Sequence, residues 1–136
     1  MILNESECLN SNAVHSVNWN ACLDVEPRAV AVAFLSSAVS VWAELRGRRY
    51  GGGVLKIEPG TLKRVPVPLL QGVEDIFEDV DRELRKGQEE RARRLVDDRV
   101  LRQGLALNDR EIEYLHIVRS RLMEWRRPSR ETTRRG

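Results

Sequence analysis

Arg46-Gly47-Arg48-Arg49-Tyr50-Gly51-Gly52-Gly53-Val54-Leu55-Lys56-Ile57 is the segment from which the rest of the fold can be worked out. Gly47 ends a helical pattern that comes before it. Gly51–Gly53 indicate a flexible turn or a place where the backbone comes close to another molecule, because glycine adopts conformations that other residues avoid. Val54–Ile57 is predicted to be a short strand. The segment therefore joins a helix to a strand through a glycine turn.

The pattern before this segment predicts one long helix, Pro27–Arg46. Asp24 is a suitable capping residue, and Pro27 suits the first helical turn. Further upstream, Val14–Trp19 alternates and is predicted to be a short strand. After the segment, Pro59–Arg64 is predicted to form one helical turn. Val65–Pro68 is extended, because proline disfavours helix at its own position and at the one before it.

Three helices are predicted after residue 68. Gly87 and Gly104 end the first two, and Pro128 ends the third. Asn108 and Glu111 have the spacing of a capping box at the start of the third helix. The apolar stripes of the three helices are Val73, Ile76, Phe77, Val80 and Leu84; then Ala92, Leu95, Val96, Val100 and Leu101; then Ile112, Leu115, Val118, Leu122 and Trp125.

The predicted fold class is α+β. A small mixed subdomain (residues 1–68, a long helix plus short strands) is followed by a three-helix appendage (69–127) and a basic disordered tail (128–136). The predicted core consists of apolar residues from both parts. These are Val30, Phe34, Leu35, Val39, Trp42, Leu45, Val54, Leu55, Ile57, Leu62, Val65, Ile76, Phe77, Val80, Leu84, Leu95, Val96, Ile112, Leu115, Val118 and Leu122.

Composition and charge narrow the class of protein. The chain has 136 residues, of which 41% are hydrophobic and 32% charged, as in a soluble and partly helical domain. The net charge is only +2, but basic zones flank an acidic helical zone, which indicates a polyanionic partner. Cys8 and Cys22 are too few for a zinc site with two histidines. No signal peptide or membrane-spanning run is predicted, so we expect a cytoplasmic protein.

The sequence does not support an active site. His15 has no acid or nucleophile pattern near it, and His116 lies beside an apolar stripe, where a structural or surface role is usual. The acidic run Glu74–Glu83 has the pattern of a solvated helix face. Neither a Walker loop nor a dinucleotide-binding glycine motif is present.

The surroundings of the glycine turn suit an anion. Cations can release the counterions of a phosphate backbone, and exposed backbone amides can bind phosphate. An ordinary solvated basic rim is the alternative. Tyr50 is either a packing residue or a stacking group. The candidate DNA-binding residues are Arg46, Arg48, Arg49, Tyr50, Gly51, Gly52, Gly53, Lys56, Lys63 and Arg64.

The run Arg28–Pro68 resembles the closing segment of the target-recognition region of adenine-N6 DNA methyltransferases of restriction–modification systems. The resemblance is carried by Phe34-Leu35-Ser36-Ser37, Arg48-Arg49-Tyr50-Gly51-Gly52-Gly53, Glu58-Pro59 and Leu62-Lys63-Arg64-Val65-Pro66-Val67-Pro68. Asn12–Val17 is similar to the entering strand of the same module, and Leu105–Ile112 resembles the start of a helix in the methyltransferase tails. The resemblance implies recognition of double-stranded DNA.

The chain departs from these methyltransferases in its chemistry. It has neither the glycine-rich S-adenosylmethionine motif nor the Asn/Asp-Pro-Pro-Tyr/Phe motif that binds a flipped base. We therefore expect no cofactor in this chain; S-adenosylmethionine belongs to a full-length enzyme or to a partner catalytic chain. A split subunit, a truncated gene and a remnant all fit the sequence. So does a different class of function, a helical module that docks on a methyltransferase or nuclease chain.

Overall fold

The computed structural model describes Leu9 and residues 25–127. The predicted strand Val14–Trp19, the predicted capping residue Asp24 and the predicted tail 128–136 lie outside the described residues. Within the described range, the fold is α+β, as predicted. It consists of helices around one two-stranded antiparallel sheet.

Two helices occupy the stretch that was predicted to be one. Helix α1 spans Pro27–Phe34 and helix α2 spans Ser37–Arg46, with a bend of 69° between them. The prediction of a continuous helix over Pro27–Arg46 was therefore wrong. Ser36 leaves the helical conformation, and its side chain accepts a bond of 3.5 Å from the amide of Val39 as the cap of α2.

Contacts from a distant helix stabilise this break. The Asp97 carboxylate accepts bonds from the Ser37 amide (2.8 Å) and from the Ser37 hydroxyl (2.6 Å). The Arg93 guanidinium donates to the carbonyl of Leu35 and, over 2.7 Å, to the hydroxyl of Ser40. Backbone groups freed by the break are thereby paired inside the protein, which is the condition for burying them. These partners are about sixty residues away in sequence, so local periodicity could not reveal them.

A β-hairpin follows α2. Strand β1 spans Arg48–Tyr50, strand β2 spans Val54–Lys56, and a single 3₁₀ turn over Gly51–Gly53 connects them. The strands pair Arg48 with Lys56, Arg49 with Leu55 and Tyr50 with Val54. The sequence predicted β2 but not β1, because Arg-Arg-Tyr has no apolar alternation. The hairpin is the whole sheet of the described residues.

The remaining elements are helical. Helix α3 (Pro59–Leu62) is the predicted single turn, and the extended segment after it leads to a 3₁₀ turn at Val73–Ile76. Helix α4 spans Phe77–Arg85, α5 spans Glu89–Asp97 and continues as a π-helical turn over Asp98–Gly104, and α6 spans Asp109–Arg126. The predicted capping box starts α6: Asn108 accepts from the Glu111 amide (3.1 Å), and Glu111 accepts from the Asn108 amide (2.8 Å).

One core joins the helices on both sides of residue 68. Its buried members come from α1, α4, α5, α6 and the turns beside them: Ala29, Val32, Ala33, Val73, Val80, Ala92, Val96, Val100, Leu101 and Ile112. Small residues are prominent, because alanines allow the helices to approach closely. The predicted boundary near residue 68 stays a prediction.

Five residues of the predicted core or of the predicted apolar stripes lie outside the observed core. Leu45, Val54, Leu84, Leu95 and Trp125 are exposed. Leu45 and Trp125 follow the apolar pattern of helices whose ends run past the core, so the pattern continues where no neighbour remains to bury it. Val54 lies in a two-stranded hairpin, which has too few layers to bury both of its faces.

No single helix within residues 25–127 is long and apolar enough to cross a membrane. The bent pair α1 and α2 meets the length and composition criteria only when both helices are counted together.

Candidate nucleic-acid interface

One face of the hairpin exposes two cations beside an aromatic ring. Residues paired across an antiparallel sheet lie on the same face, and successive residues alternate between faces. The register therefore places Arg48, Tyr50, Val54 and Lys56 together. All four are exposed, with Tyr50 at 46% and Val54 at 56% of the area accessible in an extended chain. We call this set the hairpin face.

The opposite face of the hairpin carries Arg49 and Leu55. Leu55 is half-buried against the end of α2, where a side chain on Gly47 would come within 2.7 Å of Leu55 Cδ1 and of the Ala43 carbonyl. Only glycine fits at that junction without a shift. Because Leu55 packs against α2, the face that carries Leu55 is partly covered and the hairpin face is left exposed. Arg49 lies on the same face as Leu55, but its side chain is exposed to solvent.

The glycine turn requires glycine at two of its three positions. Gly52 and Gly53 both have a φ of 77°, in the left-handed region that side chains disfavour. A side chain on Gly51 or Gly52 would meet nothing within 4 Å, so the outer side of the turn is open. On the inner side, the Gly53 carbonyl accepts a bond from Arg126 of α6.

A second group of cations lies next to the hairpin. Arg46 ends α2, while Lys63 and Arg64 follow α3, and all three are exposed. Arg46 and Arg64 line one open depression of about 560 Å³, together with Trp42, Glu58, Gly60 and Thr61. The structure therefore brings Arg46 and Arg64 together across a concave surface, although they are far apart in sequence.

The predicted cations are almost free of internal partners. The candidate residues include six cations, and among the described residues only Lys56 of these six has an ion pair. It is a 3.6 Å contact with Glu58 in which both side chains are substantially exposed. Such a solvated pair contributes at most about 1 kcal/mol and leaves the cation available. No ion pair within residues 25–127 involves Arg46, Arg48, Arg49, Lys63 or Arg64.

Other arginines have structural partners instead. Burial, followed by the charge of Arg119, lowers the pKa of the Arg93 guanidinium, which lies between α5 and the α1–α2 break. Arg119 donates to Glu90 over 2.9 Å. Burial raises the pKa of Glu90, but this bond and the positive charge of Arg119 outweigh it, so the pKa lies below its ordinary value.

Arg126 lies within the predicted third helix, and the structure gives it a buried partner. It is the last residue of α6, and its guanidinium contacts the Glu44 carboxylate at distances of 3.0 and 3.1 Å. Glu44 is buried, with 5% of its surface exposed. Glu44 was not predicted as a buried partner; its signal in the sequence is an isolated acid in an apolar helix.

Ser37, Asp97 and His116 form a structural cluster. The His116 Nε2 atom lies 2.7 Å from Asp97 Oδ2, which also accepts the Ser37 hydroxyl. In a hydrolase triad the histidine lies between the acid and the hydroxyl, where it can take the proton of the nucleophile. Here the acid lies between them and Ser37 is fully buried, so the cluster pins α2, α5 and α6 together. Asp97 was not singled out by sequence, because it resembles any acid of a charged helix.

Within residues 25–127, no three His, Cys, Asp or Glu side chains lie close enough together to bind a metal ion. Cys8 and Cys22 lie outside the described residues.

Comparison with known proteins identifies the family. Residues 1–101 match the family model described as Type II methyltransferase M.Eco57I, C-terminal domain. The match includes the hairpin and α5 and stops before α6. No curated protein and no solved structure matches the chain. The match covers well over half of the sequence, so this chain belongs to the family of C-terminal domains of Type II methyltransferases represented by M.Eco57I.

Proposed function

We propose that this chain recognises double-stranded DNA as the C-terminal part of a site-specific adenine-N6 methyltransferase of a restriction–modification system. The hairpin face is the observation that carries the proposal. It presents Arg48 and Lys56 side by side, next to the half-exposed ring of Tyr50. Neither cation forms an ion pair with a buried group among the described residues.

The shape of the hairpin suits the major groove of DNA. That groove admits a two-stranded β-ribbon, and an arginine can bind a guanine there through two hydrogen bonds. Arg48 is the residue best placed for such a contact, while Lys56 suits a phosphate as a compact charge. The open side of the glycine turn allows the backbone to approach the groove wall.

The cations outside the hairpin supply the contacts that do not depend on sequence. Arg46 and Arg64 converge on one depression beside the hairpin, and Lys63 adjoins it. Phosphate contacts orient a protein on the duplex, whereas base contacts specify the site. We assign Arg46, Lys63 and Arg64 to phosphate contacts. Arg49, on the other hairpin face, is assigned to a flanking phosphate.

The test of DNA recognition compares two double variants, each of which removes two positive charges. The purified chain is titrated with mixed-sequence duplex DNA at low and moderate salt. Arg48→Ala with Lys56→Ala is expected to lower the affinity by about tenfold or more and to reduce the salt slope by up to about two, since each cation that neutralises a phosphate contributes roughly one. Arg110→Ala with Arg121→Ala, two exposed arginines of α6 that form no ion pair within residues 25–127, is the matched control.

Equal reductions of affinity in the two double variants would mean that only total charge matters, and the hairpin would not be the interface. No binding by a folded, monodisperse wild-type chain would contradict DNA recognition by this chain alone.

Adenine specificity rests on the resemblance and needs a separate test. This chain has no cofactor or target-base motif, so a catalytic region must supply S-adenosylmethionine and the flipped-base pocket. Deletion of the gene should remove N6-methyladenine from a defined set of sites in the host DNA, as measured by mass spectrometry and modification-sensitive sequencing. Loss of a methylated cytosine, or no change, would contradict the adenine assignment.

A second candidate function is docking on a catalytic methyltransferase chain. The apolar stripes of the helices are largely used inside the fold, but α6 exposes Tyr114, Ile117 and Trp125 along its outer side, with Trp125 at 76%. Exposed tyrosine and tryptophan are enriched at protein interfaces. Such a complex should change little with salt, in contrast to DNA binding. Trp125→Ala should weaken it and leave DNA affinity unchanged.

The remnant hypothesis predicts a chain that aggregates when purified. A cooperative unfolding transition of a monodisperse sample would contradict it.

A further inference from the structure

Arg126 connects three elements at the base of the candidate interface. Its guanidinium lies against the Glu44 carboxylate of α2 through contacts of 3.0 and 3.1 Å. The same group donates from Nη1 to the carbonyl of Gly53, at the end of the glycine turn. Both charged side chains are largely withdrawn from solvent, with exposures of 18% for Arg126 and 5% for Glu44.

The glycine turn needs such an anchor. A run of three glycines has more accessible backbone conformations than any other tripeptide, so fixing it costs the most conformational entropy. Strands of three residues contribute few bonds to oppose that cost. A bond to the Gly53 carbonyl orients the last peptide of the turn, and Glu44 in turn orients the guanidinium that makes it.

The pairing with Glu44 separates Arg126 from the cations of the interface. Its charge is neutralised by a buried carboxylate, while Arg48 and Arg49 have no ion pair within the described range. A buried ion pair of this kind often adds little net stability, but it fixes the relative positions of the groups that it joins. Arg126 also lies outside residues 1–101, the part that matches the family.

We infer that Arg126 is a positioning residue: anchored on Glu44, it fixes the glycine turn and so presents the hairpin face to DNA in one orientation. The DNA part of this inference rests on the proposed function. Helix α6 is then a working part of the recognition surface, although it contributes no DNA contact through this residue.

The experiment compares Arg126→Met with Arg127→Met, its exposed neighbour, since both variants remove one positive charge at nearly the same place. Hydrogen exchange of the Gly52, Gly53 and Val54 amides is measured together with DNA affinity at several salt concentrations. Arg126→Met is expected to accelerate exchange in the turn and to weaken DNA binding by about tenfold, the effect of removing one charge-assisted anchor. Its salt slope should stay at the wild-type value, because Arg126 itself touches no phosphate.

Removal of Arg126 alone leaves Glu44 as an unpaired buried charge, which is strongly destabilising. Glu44→Met combined with Arg126→Met removes both charges and keeps the volume, so this variant is expected to fold. It still lacks the donor to Gly53. Fast exchange in the turn of this variant, with slow exchange retained in the core amides of α5, supports the positioning role; exchange equal to that of Arg127→Met overturns it.

The positioning role and DNA recognition can fail separately. Absence of DNA binding by the wild-type chain contradicts the proposed function, and the exchange comparison still decides whether Arg126 anchors the turn. DNA binding that is equally strong in wild type, Arg127→Met and the Glu44→Met/Arg126→Met variant overturns the positioning role and leaves DNA recognition intact.

Discussion

The α1–α2 break and the β-hairpin lie at the two ends of α2 and both depend on polar residues, but they use them in opposite ways. At the break, the Asp97 carboxylate accepts three bonds while it is 1% exposed. On the hairpin face, Arg48 has no ion pair with any described residue and Lys56 has a single solvated one. The break uses charge to define the fold, and the hairpin leaves charge available.

The difference follows from the environment of each charge. A buried charge is strongly unfavourable without partners, so each one that folding has retained is matched by donors or acceptors. An exposed charge is stabilised by water, and it stays available for a ligand at little cost. Substitutions at both places test whether this division holds, and their expected effects on stability run from several kcal/mol down to almost none.

Loss of Asp97 should have the largest effect. Asp97→Ala removes the acceptor of the Ser37 amide, the Ser37 hydroxyl and His116, so it should lower the free energy of unfolding by roughly 3 kcal/mol or more. Urea unfolding measures the change. Asp98→Ala, the next residue and an exposed one, is the control and should cost less than about 1 kcal/mol. Similar destabilisation in both variants would mean that the break does not depend on this carboxylate.

Loss of Arg93 should have the next largest effect. Arg93→Ala leaves the Leu35 carbonyl without its donor at the break, and the expected destabilisation is about 2 kcal/mol. Arg94→Ala removes the same charge from an exposed position and should stay within about 0.5 kcal/mol of wild type. An unchanged free energy of unfolding in Arg93→Ala would show that the lost hydrogen bonds are balanced by removal of a desolvated guanidinium. Burial already lowers the pKa of this group.

The Arg119–Glu90 pair should give a small effect that depends on pH. The folded state lowers the pKa of Glu90, so its ionised form stabilises the fold above its ordinary pKa of 4.5, and this contribution is lost as the pH falls through the lowered value. The Glu90 side chain is mostly exposed, so the contribution is below about 1 kcal/mol. Thermal unfolding between about pH 6 and pH 3 should be less steeply acid-sensitive in Glu90→Gln than in Glu89→Gln. Identical pH profiles would contradict a role for the pair.

Loss of the hairpin-face cations should barely affect stability. Arg48→Ala with Lys56→Ala should change the free energy of unfolding by no more than about 0.5 kcal/mol, because neither cation pairs with a buried group. The same sample is used for the DNA titration, so affinity and stability are compared directly. A destabilisation above about 1 kcal/mol would show that these cations serve the fold and would remove the contrast with the break.

Much of the fold could be predicted because its signals are local. The capping box at Asn108 and Glu111 requires residues three apart, and both of its bonds are formed. Helix α3, the extended exit after it and the glycine turn likewise depend on proline and glycine, which restrict or free the backbone at their own positions. The candidate cations around the turn were also found by sequence, although their role in binding stays a prediction.

Other features could not be predicted because they depend on distant partners. Strand β1 exists through its pairing with β2, and Arg126 belongs to the hairpin because α6 returns to α2. Trp125, one residue earlier, has the spacing of the apolar stripe and is exposed all the same. Periodicity indicates which residues share a helix face, but it does not indicate where other elements stop packing against that face.

Local sequence was sufficient for the helix boundaries that caps, glycines and prolines set, for the position of the glycine turn and for the concentration of cations around it. These depend on backbone preferences within a few residues. The assembled fold was needed to show that Pro27–Arg46 breaks at Ser36, that Asp97 and Glu44 are buried, and which face of the hairpin is exposed. The physical reason is that burial changes the energy of a charge far more than neighbouring residues in sequence do, and burial arises only when distant segments pack together.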